Sequence, residues 1–410
     1  MESFKGYKQE ELIVTNQIYL MRFISIVLRS IALLCYYISM LFPRKSNRWL
    51  FGSATGFNNN AKYFFIDVVE NYPEINAYWI GDRKNTALVR QLGYKAYHRF
   101  SLKGLWLCLT SKYYIVDHTQ GCIDFWTSGG AKVVNLWHGV GWKACLWSEK
   151  KNSLYKNLGW LDNFVHKLFH PTLYYKPDLL LSSSPWMTEH FFAPMFDVPK
   201  EKCVEDIYPR CKFMLKSPEY IINHIRKIGA KESEALIEKM KKYERVILYA
   251  PTYRDAQYDF IAESGIDFYD LNDLMAQNNW LFLVKFHPST RLIPGQKIDN
   301  TNIIMLDKYV DSNYIMPFSD VLISDYSSIA FDFLLLNKTV ILFPFDKDQY
   351  NSSSREFAFE YETIVGNLPV VNNYQDLKER LSHKNNYQMN DIHMIWEKTA
   401  DLMNAIKELR

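Results

Sequence analysis

Much is missing from this chain of 410 residues, and each absence removes a class of function. A surplus of one charge sign is missing. Lys and Arg number 48 against 45 Asp and Glu, a formal charge of +3, so no nucleic-acid partner is expected. Paired cysteines are missing too. Cys35, Cys108, Cys122, Cys145, Cys203 and Cys211 show no CxxC or other zinc-ligand spacing, which reads as buried thiols of a reduced cytosolic protein. No GxxxxGK[ST] occurs, so there is no P-loop to serve an ATPase. No carboxylate cluster demands a metal, and there is no internal repeat or low-complexity tract. The uncharged apolar run from Ser30 to Phe42 is shorter than the roughly 20 residues that cross a hydrocarbon core.

That run lies within residues 18–43, IYLMRFISIVLRSIALLCYYISMLFP, interrupted by Arg22 and Arg29. Charged residues precede the stretch and no small-residue cleavage site follows, which argues against a secretory signal. Arg22 and Arg29 fall one heptad apart, and Arg44, Lys45 and Arg48 follow at once. Residues 1–47 are therefore expected to form an amphipathic segment lying peripherally on the cytoplasmic face of an anionic membrane. A helix packed on the rest of the protein is the alternative. Residues 142–176 interleave six lysines with many aromatics and only two acids, Glu149 and Asp162. This basic aromatic insertion suits anionic lipid as well as it suits a helical packing element.

From Arg48 onward short apolar runs alternate with helical stretches. RWLFGS, NAYWIGD, YYIVDH, KVVNLW and LLLSSS read as strands, each ending in small or polar residues. After a charged helical passage the pattern restarts with RVILYAPT, WLFLVKFHP, NIIMLD, VLISDYSS and TVILFPFD. Continuous apolar strands between helices predict an α/β protein with parallel sheets covered on both faces. We expect two Rossmann-type doubly wound domains facing a cleft, over 48–213 and 214–390, with residues 391–410 forming a helix that packs back on the first.

Ligands bind beyond the carboxyl ends of such strands, so strand ends are where reactive residues count. KVVNLW delivers His138, followed by Gly139 and Gly141, which let backbone approach a ligand closely. Imidazole titrates near neutrality and suits a general base, although a structural histidine fits His138 equally when taken alone. WLFLVKF ends in His287, with Lys285 two residues earlier on the same strand face. VLIS runs into Asp325, Tyr326, Ser327 and Ser328 just before an apolar helix, a place for phosphate or for plain capping. YAPTYRD ends its strand in Thr252 and Arg254, whose planar fork suits phosphate oxygens or an ion pair.

Taken together, these stretches resemble the CDP-glycerol glycerophosphotransferase family of teichoic-acid primases and polymerases. In order they are WHG (137–139), YPR (208–210), YAPTYRD (249–255), KFHP (285–288) and DYSSIAFDFLLLNK (325–338), then FPFDKDQY, Arg355 and FEYE (359–362). The resemblance implies a GT-B-like fold, with the donor held mainly by the second domain. It also implies transfer of a polyol phosphate, glycerol phosphate first, from CDP-glycerol or CDP-ribitol to a hydroxyl of a lipid-linked or capsular glycan, releasing CMP. On this footing His138 is the general base and His287 acts on the pyrophosphate or leaving side. Arg254, Ser327 and Ser328 hold phosphate oxygens, with Thr252 and Lys285 in support. Asp325 orients donor hydroxyls or a histidine, and Arg355 with residues 343–350 lines the nucleotide. Gly139, Lys143 and Arg210 fall on the acceptor side. No tightly bound cofactor is implied, although Mg²⁺ on the donor diphosphate is chemically reasonable.

The family commonly continues WHGTPLK and YPRND, whereas this chain has WHGVGWK and YPRCK. Both departures sit on the acceptor side, so a CDP-linked donor is better supported than any named acceptor. The rival readings are a GT-B glycosyltransferase using a nucleotide-sugar and a non-catalytic membrane-bound glycan-binding protein.

Overall fold

The computed structural model describes residues 24–143, 159–254, 260–287, 290, 300–307, 310–353, 357–383 and 389–409. Two parallel sheets flanked by helices make up the fold. The first sheet contains β1 (Lys45–Gly52), β2 (Asn76–Gly81), β3 (Ala96–His98), β4 (Ser111–Val116), β5 (Lys132–Asn135), β6 (Leu179–Ser182) and β7 (Cys203–Glu205), in spatial order 3-2-1-4-5-6-7. The second contains β8 (Arg245–Tyr249), β9 (Trp280–Val284), β10 (Ile303–Met305), β11 (Val321–Ser324) and β12 (Thr339–Leu342), in order 10-9-8-11-12. Strand order reverses between β1 and β4 and between β8 and β11. These two switch points open crevices at the carboxyl ends of the strands.

The apolar runs become strands because both sheet faces are covered. Every residue of β9, β11 and β12 is buried, so nothing in them alternates with water. The short edge strands β3 and β7 were not anticipated, since three residues carry no readable period. Helices between strands start at polar caps; Asp82, for example, accepts from the Asn85 amide to open the helix Arg83–Gln91. The helix Asn59–Asn71 turns Tyr63, Phe64, Phe65, Ile66 and Val68 onto the first sheet.

The two sheets share one apolar cluster, and buried polar pairs tie them together. Lys62 of the first domain reaches Asp311 at 2.8 Å and the Tyr314 hydroxyl at 2.7 Å. The chain end recrosses to the first sheet: Leu402 N–H donates to Asp206, and Lys112 donates to the Leu409 carbonyl.

Residues 24–39 form a helix lying on the first domain. Tyr36 stacks on Phe125 with centroids 5.0 Å apart, and Ser39 donates to the Gly129 carbonyl. Contact is so close that a Cβ on Gly129 would lie 2.0 Å from the Tyr36 carbonyl oxygen. Arg44 is not offered to solvent as the sequence pattern suggested. Its guanidinium is spent on the carbonyls of Cys108, Ser111, Thr127 and Gly129, joining loop ends that Tyr114 and Ser39 also bind. The opposite helix side leaves Ile24, Leu28, Ile31 and Leu34 exposed. Among the described residues no helix is long and apolar enough to cross a membrane.

Candidate active site

Asn135, the last residue of β5, organises the turn that follows. Its Oδ1 accepts from the Trp137 amide, while its Nδ2 donates to the His118 carbonyl at the end of β4. Trp137 is thereby held at φ 48°, a left-handed conformation that costs a bulky residue about 1–3 kcal/mol and so implies a purpose. Asn60 supports the same turn, donating to the Leu136 and Trp137 carbonyls. The outcome is that the His138 imidazole stands at the strand tip. It stacks on the His118 ring with centroids 4.1 Å apart and planes 12° apart.

Gly139 meets the second domain. A Cβ there would sit 2.6 Å from Ser328 Oγ, so the residue after the histidine is glycine because the two domains touch at that point. The hydroxyls of Ser327 and Ser328 precede the short helix Ile329–Leu334. Ser328 makes no capping bond, and Ser327 reaches the Ile329 amide only at 3.5 Å, so capping does not account for them.

Arg210 does not stand free on the acceptor side. Its Nε and Nη2 clasp Asp332 at 2.9 and 2.7 Å, and Nη1 donates to Asn59 and to the His138 carbonyl. With both partners buried, this arginine links the domains and fixes the backbone of the candidate base. Lys143 likewise leaves the first domain: it bridges to Phe357, and its Nζ lies 4.9 Å from the Tyr350 ring centre. Trp142 beside it stacks on Tyr361.

Arg254, which the sequence reading offered to phosphate, lies in a buried ion-pair knot. Only 2 % of the residue is exposed, and its guanidinium is enclosed by Asp346 at 2.7 and 2.9 Å, Asp325 at 2.7 Å and the Thr252 carbonyl at 2.6 Å. Burial opposes its charge, and the facing carboxylates outweigh burial, holding it above its ordinary pKa. Tyr326 and Tyr350 stack at 4.1 Å beside it. Asp325 belongs to the same knot and accepts from the Thr252 and Tyr326 amides, which fixes the ends of both strands. Buried carboxylates and a guanidinium satisfy one another here because no water reaches them. The Thr252 hydroxyl is buried at the edge of this knot, beside the Asp325 carboxylate.

Lys285 donates to the Asp307 carbonyl and is lowered in pKa by burial. His287 is pressed below its ordinary value by burial first, then by Lys143 and Lys285, and faces Tyr253 with centroids 5.6 Å apart. Arg355 lies outside the described residues. Three sets of contacts are seen: Gly139, next to His138, against Ser328 across the domain contact; Thr252 with Asp325 at the β8/β11 switch point; and His287 under the influence of Lys143 and Lys285. Among the described residues no group of three His, Cys, Asp or Glu could hold a metal. Sequence reasoning missed Asp332, which stood unassigned inside the FDF stretch, and the pairing of Asp346, which it had placed with residues 343–350 on the nucleotide side. It also missed Asp117 and His118, which end YYIVDH.

A family model described as CDP-Glycerol:Poly(glycerophosphate) glycerophosphotransferase matches residues 34–404. The chain is 26% identical to a teichoic acid poly(glycerol phosphate) polymerase of Bacillus spizizenii, over 91% of this chain and 90% of that protein. It is 28% identical to a teichoic acid poly(ribitol-phosphate) polymerase of the same organism, over 84% of this chain but 52% of the relative's length. Among solved structures, a variant of the wall teichoic acid polymerase TagF aligns with TM-score 0.65 at 18% identity, covering 96% of this chain and 95% of the other. That likeness extends to the fold.

Proposed function

This chain belongs to the CDP-glycerol:poly(glycerophosphate) glycerophosphotransferase family, and from that premise we propose how its cleft works. It is a transferase that moves a polyol phosphate from a CDP-linked donor to a glycan acceptor. The acceptor hydroxyl attacks the phosphorus that carries the polyol. The new P–O bond forms as the bond to the bridging oxygen breaks, and CMP departs with that oxygen. His138 takes the hydroxyl proton. Ser327, Ser328 and Thr252 hold phosphate oxygens, and His287 with Lys143 and Lys285 faces the charge developing on the leaving side. Such transfers depend on positioning and charge stabilisation. Any Mg²⁺ is bound through the donor's own phosphates. Glycerol phosphate is the first choice of transferred group, and a lipid-linked or capsular glycan is the acceptor.

One observation supports this reading: Gly139, the residue after the candidate base, lies against Ser328 of the second domain. The enzyme works peripherally on the cytoplasmic face of a membrane. Support for this comes from the exposed apolar side of helix 24–39, beside which Trp160 is 83 % exposed on the helix Trp160–Phe169. Arg29 joins the two helices by packing over the Phe169 ring.

The test is CMP release from CDP-glycerol and CDP-ribitol, with a membrane extract as acceptor source, for wild type and His138→Ala. Release that needs the extract and drops at least about 100-fold in the variant is expected, in line with loss of a general base. No release from either donor by folded protein would instead point to a nucleotide-sugar.

A further inference from the structure

Beside His138 stands a pair of residues to which the reading above gives no task. Asp117 and His118 follow β4 directly. Because Val116 pairs with Asn135, the register carries His118 alongside Trp137 and His138. Asp117 is fully buried, and neither carboxylate oxygen has a hydrogen-bond partner among the described residues. A buried carboxylate left unmatched costs several kcal/mol in general, so its persistence calls for an explanation. The nearest opposite-charge candidate is His118 Nδ1, 3.5 Å from Oδ1. With Nδ1 turned toward Asp117, the other ring nitrogen is left for a ligand. The His118 side chain is 35% exposed and forms one wall of a polar cavity of about 340 Å³. Ser53, Gly56, Asp82, Asn85 and Arg99 line the rest, at the switch point between β1 and β4. Within it Arg99 donates to the Gly121 and Cys122 carbonyls and Asp82 accepts from Asn85, so hydroxyl, amide and charged side chains share the pocket with Trp79, a mixture suited to a hydroxyl-rich unit.

We propose that Asp117 and His118 form an acceptor subsite: His118 Nε2 binds a hydroxyl of the polyol or sugar unit that enters this cavity, and its ring holds the plane of His138. This proposal rests on the transferase reading, and the cavity sits on the first domain, away from the hydroxyls assigned to the donor. The two roles separate on substitution. His118→Phe keeps a ring to stack on His138 and loses the nitrogen, whereas His118→Ala loses both.

Three measurements test it. In steady-state transfer, His118→Phe is expected to raise the acceptor KM about tenfold with kcat within about threefold of wild type. His118→Ala is expected to raise KM as much and to lower kcat a further tenfold or more. Donor affinity, titrated with CDP-glycerol, is expected to be unchanged in both. An unchanged acceptor KM in His118→Phe, or donor affinity falling in parallel, overturns the proposal. The third measurement is direct binding of a glycerol phosphate trimer and, separately, of a neutral disaccharide. It stands even if no CDP-polyol proves to be a substrate. Binding of either probe that weakens about tenfold in His118→Phe supports the subsite and identifies the unit it takes. No binding, or equal binding by the two proteins, overturns it.

Discussion

Arg254→Leu separates a structural arginine from a phosphate-binding one. In the folded protein the guanidinium serves Asp325 and Asp346, whose side chains are 1% and 2% exposed. Removing one partner of a buried ion pair costs about 3–5 kcal/mol, because the other charge stays behind without compensation. Here two carboxylates are left, so the upper part of that range applies. At about 2–4 °C per kcal/mol for a domain of this size, Tm is expected to fall by about 10 °C or more. Adding Asp346→Asn removes one of the stranded charges and is expected to recover part of the loss, a coupling that a double-mutant cycle reads directly. The assay is thermal unfolding beside titration with CDP-glycerol. A variant that melts within about 2 °C of wild type yet binds the donor tenfold more weakly would refute the reasoning and return Arg254 to the phosphate.

Two further outcomes follow from particular residues. Burial first, and then the Lys62 charge, pushes His224 down to about 4. The unfolded chain takes up that proton near pH 6.5, so stability is full above 6.5 and falls by about 3 kcal/mol as pH drops toward 4. Urea unfolding of His224→Phe is expected to lose that pH dependence, and parallel curves for the two proteins would contradict it. For the membrane reading, Leu28→Glu with Leu34→Glu places two charges on the exposed side of helix 24–39. Release from anionic vesicles in a flotation assay is expected, and undiminished binding removes that reading.

Local order was legible along this chain. Ten apolar runs ending in small or polar residues became strands of two parallel sheets, since a strand buried on both faces needs continuous apolar sequence. That His138, His287 and Ser327 follow strands was legible for the same reason, since each comes just after an apolar run that became a strand. The family motifs added the order in which those ends belong together. Charge was not legible in this way. Arg254, Arg210 and Asp325 looked like ligands for phosphate or substrate, and the pattern gave no sign of the partners Asp346, Asp332 and the Thr252 amide that the fold brings to them. An arginine's partner comes from elements far away in sequence, such as Asp332 at 122 residues' distance, and no local pattern announces it. His118 was overlooked because its significance lies in facing His138, a matter of strand register between β4 and β5.

By itself, then, the amino-acid order determined the strands, the helices between them, the absence of a P-loop and the kind of residue each strand delivers. These depend on burial period and side-chain chemistry, which act over a few residues. Only the tertiary structure decided which polar groups stay available to a ligand. Burying a charge is costly, so the buried Lys62 and Arg210 find Asp311 and Asp332 across the domain contact. In the reading proposed here, the hydroxyls, the imidazoles and the two lysines beside His287 are the groups that meet the donor and acceptor.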